Sequence, residues 1–302
     1  MNSTFIPHVS IVIPTFNHAI FLGKALNSII DQTYENWEAI VIDNHSTDKT
    51  KEVIQKYTDP RIKYFKIVNG GIIAKSRNLG IKIAKGEWIA FLDSDDWWTS
   101  DKLETCFANI DDTVDFIYHD LEIIYNKSNS FFKRKKIVGR KLTKPILNNL
   151  LISGISKGSA IGNSSVIVRK KILEKIDGIN ESKSLVASED YNTWLRIAQI
   201  TNQFKYLKKK LGYYLVHDAS SQNRDLSIPH RQAVIDFMEL LNDVQKLNLE
   251  VKLRYISGNY NFLRNNFSIA KNDFMFVLRN GQMHFKLRSL LKLILTLFKN
   301  AV

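Results

Sequence analysis

Two apolar periods alternate through the first part of the chain. Val9-Ser-Ile-Val-Ile-Pro14 is a β-branched run closed by proline and predicts a strand buried in a parallel sheet. Thr15-Phe-Asn17 then turns the chain, and Phe21, Leu22, Ala25, Leu26, Ile29 and Ile30 recur at helical spacing to about Gln32. Trp37 to Ile42 reads as a second strand ending at Asp43, with Ser46 or Thr47 capping the next helix and Asp48 in its first turn. Arg61 to Ile67 is a third strand, Gly70-Gly71 opens another helix, and Trp88 to Leu92 is a fourth strand. Strand and helix joined by short links predict an α/β fold, a Rossmann-like, doubly wound and mostly parallel sheet.

The pattern weakens afterwards. Val114 to Tyr125 alternates as a strand, with His119 inside it as a structural histidine. Lys133 to Lys144 is a basic loop or exposed hairpin, Lys144 to Leu151 is compatible with a helix, and Gly158 to Gly162 is a turn. Asn163 to Val168 returns to strand character before a basic helix from Lys170 toward Ile176. A further helix starts at Glu189-Asp190, and Leu211 to Val216 is a final strand ending at His217, with Ser220 and Ser221 after it. From about Ser227 the sequence is basic and helical, in pieces over 231–249 and 252–280. A division follows into 1–222, an α/β domain, and 223–302, a helical appendage.

Polar residues cluster where strands end. Pro14-Thr15, Asp43 and Asp93-Ser-Asp-Asp96 all fall at carboxyl ends of strands, the edge where open α/β sheets bind ligands. Three carboxylates beyond a buried strand repel one another unless a cation sits among them, and a hard divalent ion that keeps sites for phosphate suits the set. The plainer reading is a turn, with Ser100 capping the helix that begins at Asp101. Neither Gly-x-Gly-x-x-Gly after the first strand nor a Gly-Lys-Ser/Thr loop is present, which disfavours dinucleotide oxidoreductases and P-loop NTPases.

Composition changes this picture little, and charge more. The 302 residues are 44% hydrophobic and 24% charged, as in an ordinary folded protein. A single cysteine, Cys106, excludes an internal disulfide and fits a reducing compartment. The polar stretch before Val9 has no leader-like character, and no apolar run reaches the roughly 20 residues of a transmembrane helix. The expectation is a cytoplasmic protein, with contact at the inner face of the plasma membrane left open. Net charge is +13, with the basic excess around Lys133 to Lys144 and in the C-terminal quarter. Acids concentrate between Asp31 and Asp120, a segregation that argues against a nucleic-acid coat.

Taken together these stretches resemble the inverting nucleotide-sugar glycosyltransferases of family 2, with the GT-A fold. The resemblance is carried by Val9 to Asn17, Val41-Ile-Asp43 with Ser46 to Asp48, Ala74-Lys-Ser-Arg-Asn78, Gly86 to Asp96, Gly162-Asn-Ser-Ser165, and Glu189-Asp190 with Trp194-Leu-Arg196, in family order. It implies that Thr15 and Asp43 meet the nucleobase and ribose, with Pro14 shaping the turn. It implies also that Arg77 orients the acids or touches the pyrophosphate, that Asp93, beside Ser94, holds the ribose, and that Asp95 ligates Mn²⁺ or Mg²⁺. Asp190 resembles the general base, with Glu189 beside it, and His217 stands where relatives place a histidine on the metal or diphosphate. Gly178-Ile-Asn-Glu181 departs from the family's usual Gly-Phe-acid, and Leu215 replaces a common arginine, which puts the role of His217 in question.

The implied partners are a nucleotide-sugar donor, most simply a UDP-sugar, and a saccharide or lipid-linked saccharide acceptor in bacterial-type surface polysaccharide or lipopolysaccharide synthesis. Alternatives are transfer to a polyprenyl phosphate, or a non-catalytic basic binding protein. In Phe285 to Lys299, Arg288, Lys292, Thr296 and Lys299 line one narrow face and leucines cover the rest. That pattern suits an anionic membrane face. Packing on the protein's own core or on a second subunit suits it equally.

Overall fold

The computed structural model describes residues 6–125, 136–138, 152, 155, 161–217 and 224–299. The first half alternates as expected: β1 (Val9–Thr15), α1 (Ala19–Ile30), β2 (Trp37–Asp43), α2 (Thr50–Ile54), β3 (Ile62–Lys66), α3 (Ile73–Ile83) and β4 (Trp88–Phe91). β1 pairs in parallel with β2 and β4, and β2 with β3. Every residue of β1, β2 and β4 is buried, because helices cover both faces of the sheet. Ile11 and Ile13 pack with Leu22, Ala25 and Leu26 of α1 on one face. Val12, Ile40 and Ile42 pack with Ala74 and Ile81 of α3 on the other. The two-residue period of the strands thus sorts their side chains between two cores.

The second half extends the same sheet with mixed direction. It adds β5 (Trp97–Trp98), α4 (Lys102–Phe107), β6 (Phe116–Tyr125), β7 (Lys136–Val138), β8 (Ile167–Arg169), α5 (Lys170–Lys175), α6 (Glu189–Ile200) and β9 (Phe204–Val216). The sheet order among the described residues is β3-β2-β1-β4-β8-β6-β9-β5, with β7 on β6. β8 runs antiparallel to β4 and β6, while β9 runs parallel to β6.

Several local expectations need correction. Neither Ser46 nor Thr47 caps α2; Lys49 is at the N-cap. Ser46 instead donates to Asp43 Oδ1 at 2.5 Å, and the Thr47 N–H donates to Asn17 Oδ1 at 2.8 Å, so both tie the β2 loop to its surroundings. Asp48 accepts from the N–H groups of Thr50 and Ala19, both at 3.0 Å. Ser100 does not cap α4 either: Asp101 holds that position, and the Ser100 carbonyl accepts from the Thr33 N–H. Asn163–Ser165 is a 3₁₀ turn rather than strand, since the Ser165 and Val166 amides bond back to Gly162 and Asn163, and the strand is confined to Ile167–Arg169. The final strand begins at Phe204, seven residues before the expected Leu211. Most of the basic block over 133–144, the helix expected over 144–151, Gly158, and Ser220 and Ser221 lie outside the described residues, as does the division expected at 222/223.

Four helices follow: α7 (Ser227–Val234), α8 (Asp243–Leu263), α9 (Phe267–Asn280) and α10 (Met283–Lys299). α8 is one 21-residue helix across the break expected near 250. A reciprocal cap starts it: Asn242 Oδ1 accepts the Gln245 N–H and Gln245 Oε1 accepts the Asn242 N–H, each at 2.9 Å. Ala233, Val234, Leu249 and Leu253 share a buried cluster with Leu185, Tyr191 and Leu195 around α6.

Candidate active site

Four loops converge at the carboxyl edge of the sheet, and each is fixed by its own hydrogen bonds. After β1, Asn17 takes a positive φ of 51° and its N–H donates to Ser46 Oγ at 2.8 Å, which staples the β1 and β2 loops together. At the end of β2, Asp43 is fully buried. Its Oδ1 accepts from the Ser46 N–H and hydroxyl, and its Oδ2 accepts the Tyr64 hydroxyl at 2.6 Å. The Thr15 hydroxyl beside it is buried with no partner among the described residues.

After β4 the acids separate into distinct environments. Asp93 Oδ1 accepts from Arg77 Nη2 at 2.8 Å and from Asn163 Nδ2 at 3.0 Å. Asp96 is buried and fully engaged: Oδ2 accepts the Ser164 hydroxyl at 2.5 Å, and Oδ1 accepts the Leu215 N–H at 3.0 Å. Burial, then the charges of Asp95 and Asp93, push its pKa well up from the ordinary carboxylate range. Asp95 faces the end of β9, with Oδ2 lying 2.9 Å from His217 Nε2. Burial and Asp93 raise its pKa, against the opposing pull of His217 and His18.

His18, just ahead of α1, completes this corner. Its Nδ1 is 2.8 Å from Ser94 Oγ, and its ring meets that of His217 edge-on at 5.9 Å. Phe21 lies against His217 at 4.7 Å and fixes the outer side. One donor atom each from His18, Asp95 and His217 falls within 4.8 Å of the others. Two imidazoles and one carboxylate form a donor set suited to a borderline divalent transition ion, so the residues present fit the ion inferred from the sequence.

Arg77 joins this corner to the start of α6. Its side chain, 3% exposed, donates from Nη2 to Asp93 and from Nη1 to Glu189 Oε1 at 2.7 Å. Burial alone would lower its pKa, but the carboxylates of Asp93 and Glu189 outweigh that and raise it. Asp190 follows Glu189 in the first turn of α6, where its Oδ1 accepts the Tyr191 N–H at 2.6 Å. Desolvation and the neighbouring Glu189, opposed by Arg77, push its pKa up to about 7. A carboxyl poised near neutrality is suited to take a proton. A cavity of about 600 Å³ bounded by Pro7, His8, Tyr34 and Glu87 sits instead at the amino ends of β1 and β4, away from these groups.

The model of glycosyl transferase family 2 matches residues 10–176, more than half of the chain. The chain belongs to that family. Its relatives include the Escherichia coli UDP-Glc:alpha-D-GlcNAc-diphosphoundecaprenol beta-1,3-glucosyltransferase WfgD, 34% identical over 195 residues, 64% of this chain and 71% of that protein. Among solved structures, Staphylococcus aureus TarS 1-349 in complex with UDP-GlcNAc superposes with a TM-score of 0.62 at 20% identity, covering 92% of this chain and 82% of that one. Against the longer TarS structure the chain spans half of the length. Pyrobaculum calidifontis PcManGT, in complex with GDP-Man and Mn²⁺, gives a TM-score of 0.62 at 18% identity, covering 98% and 82%. The GT-A fold read from the sequence of this family 2 glycosyltransferase therefore holds.

The expected site residues are thus placed as follows. Pro14 and Thr15 end β1, Asp43 ends β2, and Asp93, Ser94 and Asp95 follow β4. Arg77 on α3 reaches Glu189 on α6. His217 meets Asp95, although Leu215 stands where an arginine was expected; Leu215 contributes its backbone N–H to Asp96. Sequence reasoning missed His18 and Tyr64, and it marked Asn163, Ser164 and Asp96 only as parts of patterned stretches, without their contacts to one another and to Asp93. A lone histidine in a turn carries no periodic or motif signal, and Tyr64 looked like any strand aromatic.

Proposed function

We propose that the chain transfers a sugar from a UDP-sugar to a hydroxyl of a saccharide carried on a polyprenyl diphosphate, with inversion at the anomeric carbon. Family membership supports the glycosyl transfer, and the named activity of WfgD supports the donor and acceptor classes. The observation that carries the mechanism is the bridge from Arg77 to both Asp93 and Glu189, which sets Asp190 beside the acidic corner.

In this reading Thr15, Asp43, Asp93 and Ser94 receive the nucleoside, with Pro14 shaping the turn beneath it. The orphaned Thr15 hydroxyl is a donor or acceptor waiting for a ligand. Asp95, His217 and His18 would hold a divalent ion, Mn²⁺ being better suited than Mg²⁺ to two imidazoles. Such an ion, when bound, neutralises charge on the leaving diphosphate. Asp190 accepts the proton of the acceptor hydroxyl as that oxygen bonds to the anomeric carbon. The bond from that carbon to the diphosphate oxygen breaks on the opposite face, and UDP departs with the electron pair. Glu189 is a positioning residue, held by Arg77, and its charge adds to desolvation in raising the Asp190 pKa.

A transfer assay with UDP-glucose and a prenyl-diphosphate-linked N-acetylglucosamine tests the reading, with calorimetry of UDP binding in Mn²⁺ alongside. Asp190→Asn is expected to keep UDP binding and to lose about 10²–10⁴-fold of the transfer rate. Asp95→Ala is expected to lose the metal-dependent part of UDP binding. Wild-type turnover in Asp190→Asn, or undiminished Mn²⁺-dependent binding in Asp95→Ala, refutes the assignment.

A further inference from the structure

Helix α10 is amphipathic but faces the wrong way for a soluble helix. Its polar stripe is turned inward: Ser289 is 0% and Thr296 4% exposed. The Lys292 amine bonds to Asn259 of α8 and lies 5.5 Å from the Phe262 ring. Phe285 meets Tyr255 at 5.0 Å, and Leu293 packs onto the small cluster of Phe262, Ala270 and Phe274. The opposite face is a row of large apolar side chains in solvent. Leu287 and Leu291 are each 60% exposed, and Leu290, Ile294 and Leu295 are exposed beside them. Single exposed leucines are ordinary, but five on one helix face mark a surface meant to be covered.

Charge selects what covers it. From Arg264 to Lys299 the chain carries seven lysines and arginines against one acid, Asp273. That acid is buried and paired with Arg254 at 3.0 Å. Two copies meeting through this face would set cation against cation, with no exposed carboxylate from α9 or α10 between them. Anionic lipid headgroups supply the missing charge, and the outer acyl region supplies the apolar phase for the leucines. No helix among the described residues is long and apolar enough to cross a membrane, so the helix would lie in the interface.

We infer that the exposed leucine face of α10, rimmed by Lys286 and Arg288, docks the protein flat on an anionic lipid surface. The inference rests on α10 and its neighbours and stands apart from the catalytic reading.

Flotation of the full chain with phosphatidylcholine vesicles, with and without phosphatidylglycerol, tests it, and no sugar donor is required. The expected result is binding to the phosphatidylglycerol vesicles that weakens with salt and is slight on phosphatidylcholine alone. Leu287→Gln combined with Leu291→Gln is expected to weaken binding by about tenfold or more, with an unchanged thermal melt because both side chains already meet water. Lys286→Glu combined with Arg288→Glu, a second surface variant, should weaken binding only where phosphatidylglycerol is present. A wild-type chain that leaves every vesicle unbound overturns the inference, as does undiminished flotation of both variants. A dimer in sedimentation that the leucine variant splits, without vesicle binding, assigns the face to a second copy instead. Failure in flotation leaves the transfer assay untouched, and the converse holds.

Discussion

Asp190 is held in a state that is useful for proton transfer and costly for folding. With a folded pKa near 7 against about 4 in an unfolded chain, the native protein keeps a proton that the unfolded one has released. Stability contributed by this group therefore falls as pH rises from about 4 to about 7 and stays low above that. Asparagine has no proton to lose. Asp190→Asn is thus expected to raise the melting temperature above about pH 7 and to lose that advantage toward pH 4, as a pH series of thermal melts would show. The wild-type kcat/KM should fall on the acid side with an apparent pKa near 7, and an absent acid limb would remove Asp190 as the base. Arg77 is the opposite case. Arg77→Ala leaves Asp93 and Glu189 facing each other without their shared cation, and urea denaturation should register a loss of about 3–5 kcal/mol. Asp93, Asp95, Asp190 and Arg77 were visible in the sequence because each stands in a patterned stretch. His18 was not, because only the folded chain brings it to Asp95 and His217.

Elements were legible in proportion to how completely one kind of surface surrounds them. β1, β2 and β4 are buried on both faces, so their apolar runs are uninterrupted and their ends clear. β9 is different. Its pairing with β6 shifts register around Asp120, from His119 opposite Leu207 to Asp120 opposite Lys210 and Leu121 opposite Gly212. The irregularity lodges three exposed lysines, Lys208 to Lys210, inside the strand and hides its first half from any periodic pattern. β5 is two residues long and exists only because Trp97 and Trp98 meet the returning β9. Close approach is equally invisible in a sequence. Gly86 enters β4 so near to β1 that a Cβ there would lie 2.6 Å from the Ser10 nitrogen and 2.8 Å from the Val9 carbonyl carbon. These are backbone atoms that cannot swing aside, and the Gly86 N–H also donates to Ser10 Oγ at 2.8 Å. Gly86→Ala should cost about 1–3 kcal/mol or more in chemical denaturation, and a neutral result would mean that β1 and β4 can part locally.

At the scale of the whole molecule, the four-strand parallel core was readable and the mixed-direction extension was not, since nothing in residues 114–216 announces which strand lies beside which. The sheet order shows why this matters for the site. Phe116 to Tyr125 of β6 pairs with Phe204 to Val216 of β9, partners roughly ninety residues apart in the chain. Loop closure of that length delays a pairing until more local structure has formed. β1, β2 and β3 pair with near neighbours in the chain and β4 returns to β1, so these four can assemble as synthesis proceeds, whereas β9 emerges last among the strands. His217 and the Leu215 amide that steadies Asp96 arrive with it. A nascent or truncated chain ending before residue 204 would carry Asp43, Asp93 and Asp95 but leave the acidic corner open on the side that His217 closes. The acidic corner is thus closed by the strand that is synthesised last, once β9 pairs with β6.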